Sequence, residues 1–331
     1  MMTSPHNNLS KISEESLQPH VRLFLSVDVV GSTAYKQRWI SAEVNESWIV
    51  FFRSFFDEFH VSFCSEIAEV SKIRVLSKTG CPVPWKLLGD EILYAIKIDK
   101  GHEVFLYTEA FRKAVMNHRD KIEQSGKPVS LKATAWLAGF PVGNSVMSTP
   151  MGEDFIGPLV DIGFRLSKFS SRERMVLSVD LAWYLTKGDS GPRSLFLDGL
   201  QSLKGVLGDK PYPIIWWSMD EALSSGMKNV GLVNYVDTSK LHEYCDLFIA
   251  RAPKPLIRPF FLGDNDSLPD HYQTDLDRVR QLWNGVPNDP QGSYDKNASV
   301  LTPMEDIALA ESNRSFVALI DKAVIEKTSD L

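Results

Sequence analysis

Apolar residues run almost unbroken from 21 to 30, as in a strand buried on both faces. Ser32 and Thr33 follow directly and can cap a helix. Trp48, Phe51, Phe52, Phe55, Phe56, Phe59 and Phe63 then recur at three- and four-residue spacings. That stripe predicts a helix running, with a break, to about residue 70. It reads as core or dimer packing rather than as a cofactor box. Further on, the pattern predicts a strand over 73–77, a turn-rich connection over 78–84 and a second extended stretch over 85–97. Gly89-Asp90 can turn the chain inside that stretch. A helix over 103–124 and a strand over 130–138 follow. Residues 139–153 hold three Gly and two Pro with few periodic apolar positions, and read as a long loop or arm. Pro158 then opens a helix to about 169. After it come a strand over 175–179, a short helix over 181–186 and closing strands over 194–200 and 213–218.

Helices alternating with strands predict a layered α/β domain over 20–219. Residues 1–19 read as a mobile arm. Residues 220–331 differ in texture: 251–272 is Pro-rich and extended, and 275–283 and 306–327 read as helices. This C-terminal part reads as an appendage packed on the first domain, a sensor or dimerisation element.

Composition narrows the function classes. Hydrophobic content of 44% supports a sizeable core, and a net charge of −6 gives no overall basic field for nucleic acid or an anionic membrane. No apolar run reaches the length of a membrane span, and residues 1–19 lack a signal-peptide core. Cys64, Cys81 and Cys245 are few and have no metal-ligand spacing. They read as reduced thiols in a cytoplasmic protein.

The candidate chemistry lies in three places. Asp28 ends the first strand and precedes Gly31-Ser32-Thr33. A strand-end carboxylate beside a small-residue turn suits a divalent metal holding a triphosphate, because the turn can aim backbone N–H groups at phosphate oxygens. Lys86 and Asp90 flank a hairpin tip, and a second carboxylate on a neighbouring strand would complete a two-carboxylate metal site. Asp154 is followed seven residues on by Asp161 and four further by Arg165. Asp161 and Arg165 share a helix face, so alone they read as an i,i+4 ion pair.

In order and spacing, these motifs and Leu203-Lys204-Gly205 near the end resemble the class III nucleotidyl cyclases. The resemblance covers about residues 20–219. It implies an α+β sandwich of ferredoxin-like type, with a mixed, mainly antiparallel sheet. It implies two divalent ions, Mn²⁺ or Mg²⁺, on Asp28, Asp90 and the Val29 carbonyl. Substrate binding falls by resemblance to Val30, Gly31, Ser32, Thr33, Lys86, Asp154 and Lys204, and transition-state stabilisation to Arg165 and residue 161. Members of the family work as dimers that take the metal ligands from one subunit and the base-reading pair and Arg from the other. This chain holds both sets, so a homodimer would form two complete sites. One position departs from the family: the usual Asn is Asp161 here. An ionised Asp only accepts hydrogen bonds, so it suits a ribose hydroxyl and repels phosphate.

Lys86 donates and Asp154 accepts, which fits adenine, cytosine and uracil alike and guanine less well. The motif around Asp154 and the unfused layout resemble the bacterial pyrimidine cyclases of the Pycsar anti-phage type. This resemblance favours UTP as substrate and cyclic UMP as a messenger for a separate effector. CTP, ATP and a silent cyclase-like sensor are the alternatives.

Overall fold

The computed structural model describes residues 17–38, 48–72, 76–77, 80–149, 152–187, 192, 195–220, 222, 226, 237–252 and 256–284. The predicted helix over 306–327, most of the arm over 1–19 and residues 73–75 of the predicted strand lie outside them. Leu76 and Ser77, at the end of that strand, are not extended into a sheet. The chain divides into a compact unit over residues 1–280 and a second over 281–331. Of the second, the described part is the last turn of the final helix.

Strand β1 (His20–Val30) leads into α1 (Ser32–Arg38) and α2 (Trp48–Ser71). The hairpin β2 (Pro84–Leu88) and β3 (Glu91–Ile98) precedes α3 (His102–Gln124) and β4 (Ser130–Phe140). Then come β5 (Ser145–Thr149), β6 (Gly152–Ile156), α4 (Pro158–Leu166), β7 (Arg174–Leu177), α5 (Val179–Leu185), β8 (Leu195–Ser202) and β9 (Pro211–Ser218). Helices α6 (Thr238–Arg251) and α7 (Tyr272–Asn284) close the described chain.

Seven strands form one sheet in the order β2-β3-β1-β4-β7-β9-β8. The β4–β7 pair is parallel and the other pairs are antiparallel. This is the expected α+β architecture with a mixed, mainly antiparallel sheet.

Period-two alternation decides what each face of β1 does. Leu23, Leu25 and Val27 are fully buried on the face covered by α2 and α3. There the aromatic stripe of α2 is core, as expected: Phe59 and Phe63 meet Phe111 of α3, and Phe63 meets Tyr94 of β3. The opposite face carries Arg22, Phe24, Ser26 and Asp28. Phe24 stacks on Trp136 of β4, and Phe155 packs edge-on against it.

Two expectations are corrected. Residues 139–153 do not form a structureless loop, because β5 and β6 pair as a separate hairpin, with Val146 opposite Phe155. Its strands are five residues each, and among its described side chains Val146 and Phe155 are the deeply buried ones, too few apolar positions for an alternation to show. Nor are all three cysteines reduced. Cys64 and Cys81 are joined as a disulfide, and Cys245 is free and buried. The fold brings α2 and the segment ahead of β2 together, with Cα atoms 5.1 Å apart.

The described part of the C-terminal extension packs on the sheet domain. Asp237 caps α6, and Leu241, Cys245, Phe248 and Ile249 form its buried face against α5 and Tyr212. Trp183 donates to Asp246, which Arg258 holds through both carboxylate oxygens. The Tyr272 hydroxyl donates to the Phe140 carbonyl at 2.7 Å. Among the described residues, no helix is long and apolar enough to cross a membrane.

Helix α4 reaches the sheet through a glycine. A methyl group at Gly163 would sit inside the Trp136 indole, which is 1% exposed and stacked on Phe24. Overpacking of this kind costs roughly 1–3 kcal/mol. Gly163→Ala is therefore expected to lower the free energy of unfolding by that amount in chemical denaturation. An unchanged midpoint would mean that α4 does not pack here.

Candidate active site

The acidic end of the site follows from strand register. Asp28 pairs with Glu91 at the start of β3 and with Lys132 on β4, so all three side chains leave the sheet on one face. The Lys132 ammonium lies 3.0 Å from the Asp28 carboxylate. Asp90 occupies the β2–β3 turn after Gly89, whose φ of 69° suits glycine. Lys36 of α1 approaches Asp90 at 3.9 Å. Glu91, which sequence reasoning missed, is the third carboxylate and accepts from the Ser26 hydroxyl. Burial pushes its carboxyl above the ordinary range, and the charges of Asp28 and Asp90 add to the rise. The Ser26 bond and Lys132 act against it. Asp28, Asp90 and Glu91 together offer hard oxygen donors, the kind a divalent ion takes. By donor type the residues present fit the ions that the resemblance implies, while among the described residues the three carboxylates are not drawn together within 4.8 Å of one another.

The adjoining turn is built for close approach. Gly31 has φ of 83°, and an added Cβ would meet the Pro128 carbonyl at 3.1 Å. The Tyr35 N–H donates to the Gly31 carbonyl and starts α1, with Ser32 buried and Thr33 exposed. Pairing of β1 with β3 stops at Asp28, whereas pairing with β4 continues to Val30. The β3-side edge of Val29 and Val30 is therefore left open by the ladder, and backbone groups there can face a ligand.

Lys86 and Asp154 meet directly. Lys86 on β2 lies beside Leu93 of β3, on the face that carries Ser26 and Asp28. Its ammonium is 2.7 Å from Asp154 of β6, and each side chain is about one-third exposed. The Phe155 N–H also donates to Asp154. Trp85 donates its indole N–H to the Glu153 carbonyl and packs on Phe155, and Lys86 lies over its ring. Arg22 pairs with Glu153 at 3.1 Å. The hairpin missed by sequence reasoning is thus what carries Asp154 to Lys86.

Arg165 and Asp161 share a face of α4 but are not joined as a side-chain ion pair. The Arg165 guanidinium donates to the Lys204 carbonyl at 2.6 Å and to the Asp161 carbonyl at 3.3 Å. Lys204 and Asp161 themselves are exposed. Buried Asn144 fixes the start of α4: its side-chain oxygen accepts from the Leu159 N–H and its amide donates to the Gly139 carbonyl. No motif signalled Asn144. Among the described residues, no hydrogen bond or ion pair links the Arg165 end to the acidic end.

No family model and no curated protein matches the sequence. Among solved structures, the chain is similar to the guanylyl cyclase Cya2 at 13% identity, covering 61% of this chain and 92% of that one, with a TM-score of 0.39. It is similar to the adenylyl cyclase CyaB from P. aeruginosa at 16% identity, covering 62% and 96%, with a TM-score of 0.42. A third is the guanylate cyclase domain of RhGC from Catenaria anguillulae in complex with GTP, at 11% identity, covering 61% and 97%, with a TM-score of 0.43.

Proposed function

We propose that the chain is a class III nucleotidyl cyclase that converts UTP to 3′,5′-cyclic UMP and pyrophosphate as a homodimer. The observation that carries this reading is a single sheet face. It presents Asp28, Asp90 and Glu91 beside the Gly31 turn, and on a neighbouring strand Lys86 paired with Asp154.

Asp28, Asp90 and the Val29 carbonyl would hold two divalent ions, Mn²⁺ or Mg²⁺, with Glu91 beside them. When bound, such ions lower the pKa of the ribose 3′-hydroxyl and neutralise triphosphate charge. The backbone of Val30, Gly31, Ser32 and Thr33 cradles phosphate oxygens, which the positive φ of Gly31 allows. The 3′-oxygen attacks the α-phosphorus in line, and the bond to the bridging oxygen of pyrophosphate breaks. Arg165 stabilises the charge on the transferring phosphate. Two of its five N–H groups serve carbonyls that fix the fork, and the Nη2 group is left for a phosphate oxygen. Lys204, beside Arg165, adds positive charge for the triphosphate. Asp161 accepts from a ribose hydroxyl.

The two halves of the site belong to different subunits in this reading. Val30, Leu87, Leu88 and Ile156 are 40–55% exposed around the acidic turn and the Lys86–Asp154 pair, an apolar rim that a second copy would cover in such a dimer.

For the base, Lys86 donates to a uracil carbonyl and Asp154 accepts its N3–H. The fixed Trp85 and Phe155 rings supply the bulk that a pyrimidine, shorter than a purine, needs at that end of the pocket. The product then serves as a second messenger in bacterial anti-phage defence, acting on a separate effector, as the likeness of the Asp154 motif to Pycsar cyclases suggests.

The test is competition among the four ribonucleoside triphosphates at equal concentration with Mn²⁺, with cyclic products identified by mass. Cyclic UMP is expected to dominate, and Lys86→Ala is expected to reduce UTP turnover far more than residual turnover of the others, because the uracil carbonyl then loses its donor. Predominant cyclic AMP would overturn the pyrimidine assignment and leave the cyclase. No cyclic product from any nucleotide would point to a silent sensor of the same fold.

A further inference from the structure

On the outer side of the sheet domain, away from the acidic face, His60, Cys64 and Cys81 converge. The ring nitrogen and the two sulfurs all lie within 4.8 Å of one another. His60 and Cys64 are four residues apart, one turn along α2, so they project from the same helix face. Cys81 comes from the segment ahead of β2 and is bonded to Cys64. The imidazole has no part in a disulfide, yet its Nε2 faces the Cys64 sulfur at 3.7 Å. Its other nitrogen, Nδ1, is 3.3 Å from the Tyr94 hydroxyl. A phenol is neutral at ordinary pH, and its oxygen can accept from Nδ1–H. That tautomer leaves the Nε2 lone pair directed at the sulfurs. A ring nitrogen anchored through its far N–H is the arrangement found behind metal-ligating histidines.

We propose that His60, Cys64 and Cys81 form a thiolate–imidazole site for Zn²⁺ or a similarly soft divalent ion when the Cys64–Cys81 bond is reduced. Two sulfurs and one nitrogen at this spacing need shifts of about an ångström or two to reach Zn–S bonds of ~2.3 Å and a Zn–N bond of ~2.0 Å. All three residues are partly exposed, so water can fill the fourth position. The chemistry balances in two steps. A reductant, a dithiol or a phosphine, delivers two electrons and the disulfide becomes two thiols. The dithiol closes to its own disulfide, or the phosphine takes oxygen from water. The metal then binds both sulfurs as thiolates and two protons leave. Exchange with an added small-molecule disulfide, which takes up the two electrons and becomes two thiols, restores the Cys64–Cys81 bond, withdraws both thiolates and releases the ion. The site is separate from the carboxylates on the opposite face and differs in softness: sulfur and nitrogen here, oxygen there.

The experiment is a Co²⁺ titration of the full chain, with the disulfide intact and after reduction by a phosphine. Co²⁺ on thiolates gives intense sulfur-to-metal charge-transfer absorption, whereas Co²⁺ on carboxylates does not, so the acidic face is silent. The reduced protein is expected to show the band saturating at one ion per chain and bleaching on addition of Zn²⁺. The oxidised protein is expected to show none. Tyr94→Phe, which keeps the ring and removes the acceptor for Nδ1–H, is expected to weaken binding roughly tenfold. A C64S/C81S double variant retains Cys245 and is expected to lose the band. Absence of the band from the reduced protein would overturn the proposal, as would its persistence in the double variant.

Discussion

Asp28→Ala is expected to lower nucleotide turnover by roughly 10³-fold or more, the scale for losing a main electrostatic stabiliser of a transition state, while leaving the fold intact. The carboxylate lies at the rim of the core. Its side chain is 28% exposed, and its ion-pair partner Lys132 is 24% exposed. A pair this open contributes about 0–1 kcal/mol. Removing Asp28 also removes a charge that raises the Glu91 carboxyl, which offsets part of the lost pairing. The expected signature is therefore a wild-type denaturation midpoint with cyclase activity near zero. Asp28→Asn, which keeps the shape and removes the charge, is expected to behave the same way. Near-normal turnover in either variant would remove the acidic face from the mechanism.

Mixing two dead variants is expected to restore activity. In the proposed homodimer Asp28 acts from one copy and Arg165 from the other. Asp28→Ala and Arg165→Ala homodimers should each be nearly inactive. After re-equilibration of an equal mixture, half of the dimers are mixed. In each mixed dimer one site collects both lesions and the other collects neither. About a quarter of all sites are then intact, so about a quarter of wild-type activity is expected. Arg165 donates only to backbone carbonyls of its own chain, so its loss breaks no side-chain network and the variant should still assemble. Subunit exchange shown by differential labelling without recovered activity would mean that each site is built within one chain.

Much of the domain was legible because it rests on local pattern. The apolar run of β1, the three- and four-residue aromatic stripe of α2 and the turn at Gly89-Asp90 each state their own geometry, and period-two and period-3.6 burial carry it into the fold. Asp161 and Arg165 on one helix face follow from spacing alone. Asp28 and Asp90 were readable as strand-end and turn carboxylates, because Asp28 closes an apolar run three residues before Gly31 and Asp90 directly follows Gly89.

What only the tertiary structure decided depends on groups distant in sequence. Glu91 joins the acids because β1 and β3 pair in one register, and a one-residue slip would have turned it to the other face. The β5–β6 hairpin has too few buried positions to announce itself, yet it delivers Asp154 to Lys86 across 68 residues of chain. Gly163 matters because Trp136 fills the space where a side chain would be, a contact between α4 and β4 that no local pattern states. Cys64 and Cys81 read as separate thiols because their spacing matches no local motif, and α2 brings them together with His60 only by packing on the sheet. The sequence by itself determined most of the elements, the β5–β6 hairpin excepted, and the chemistry each could carry. Packing and strand register determined which of those groups meet, because a contact between distant residues is set by the whole fold that closes the loop between them.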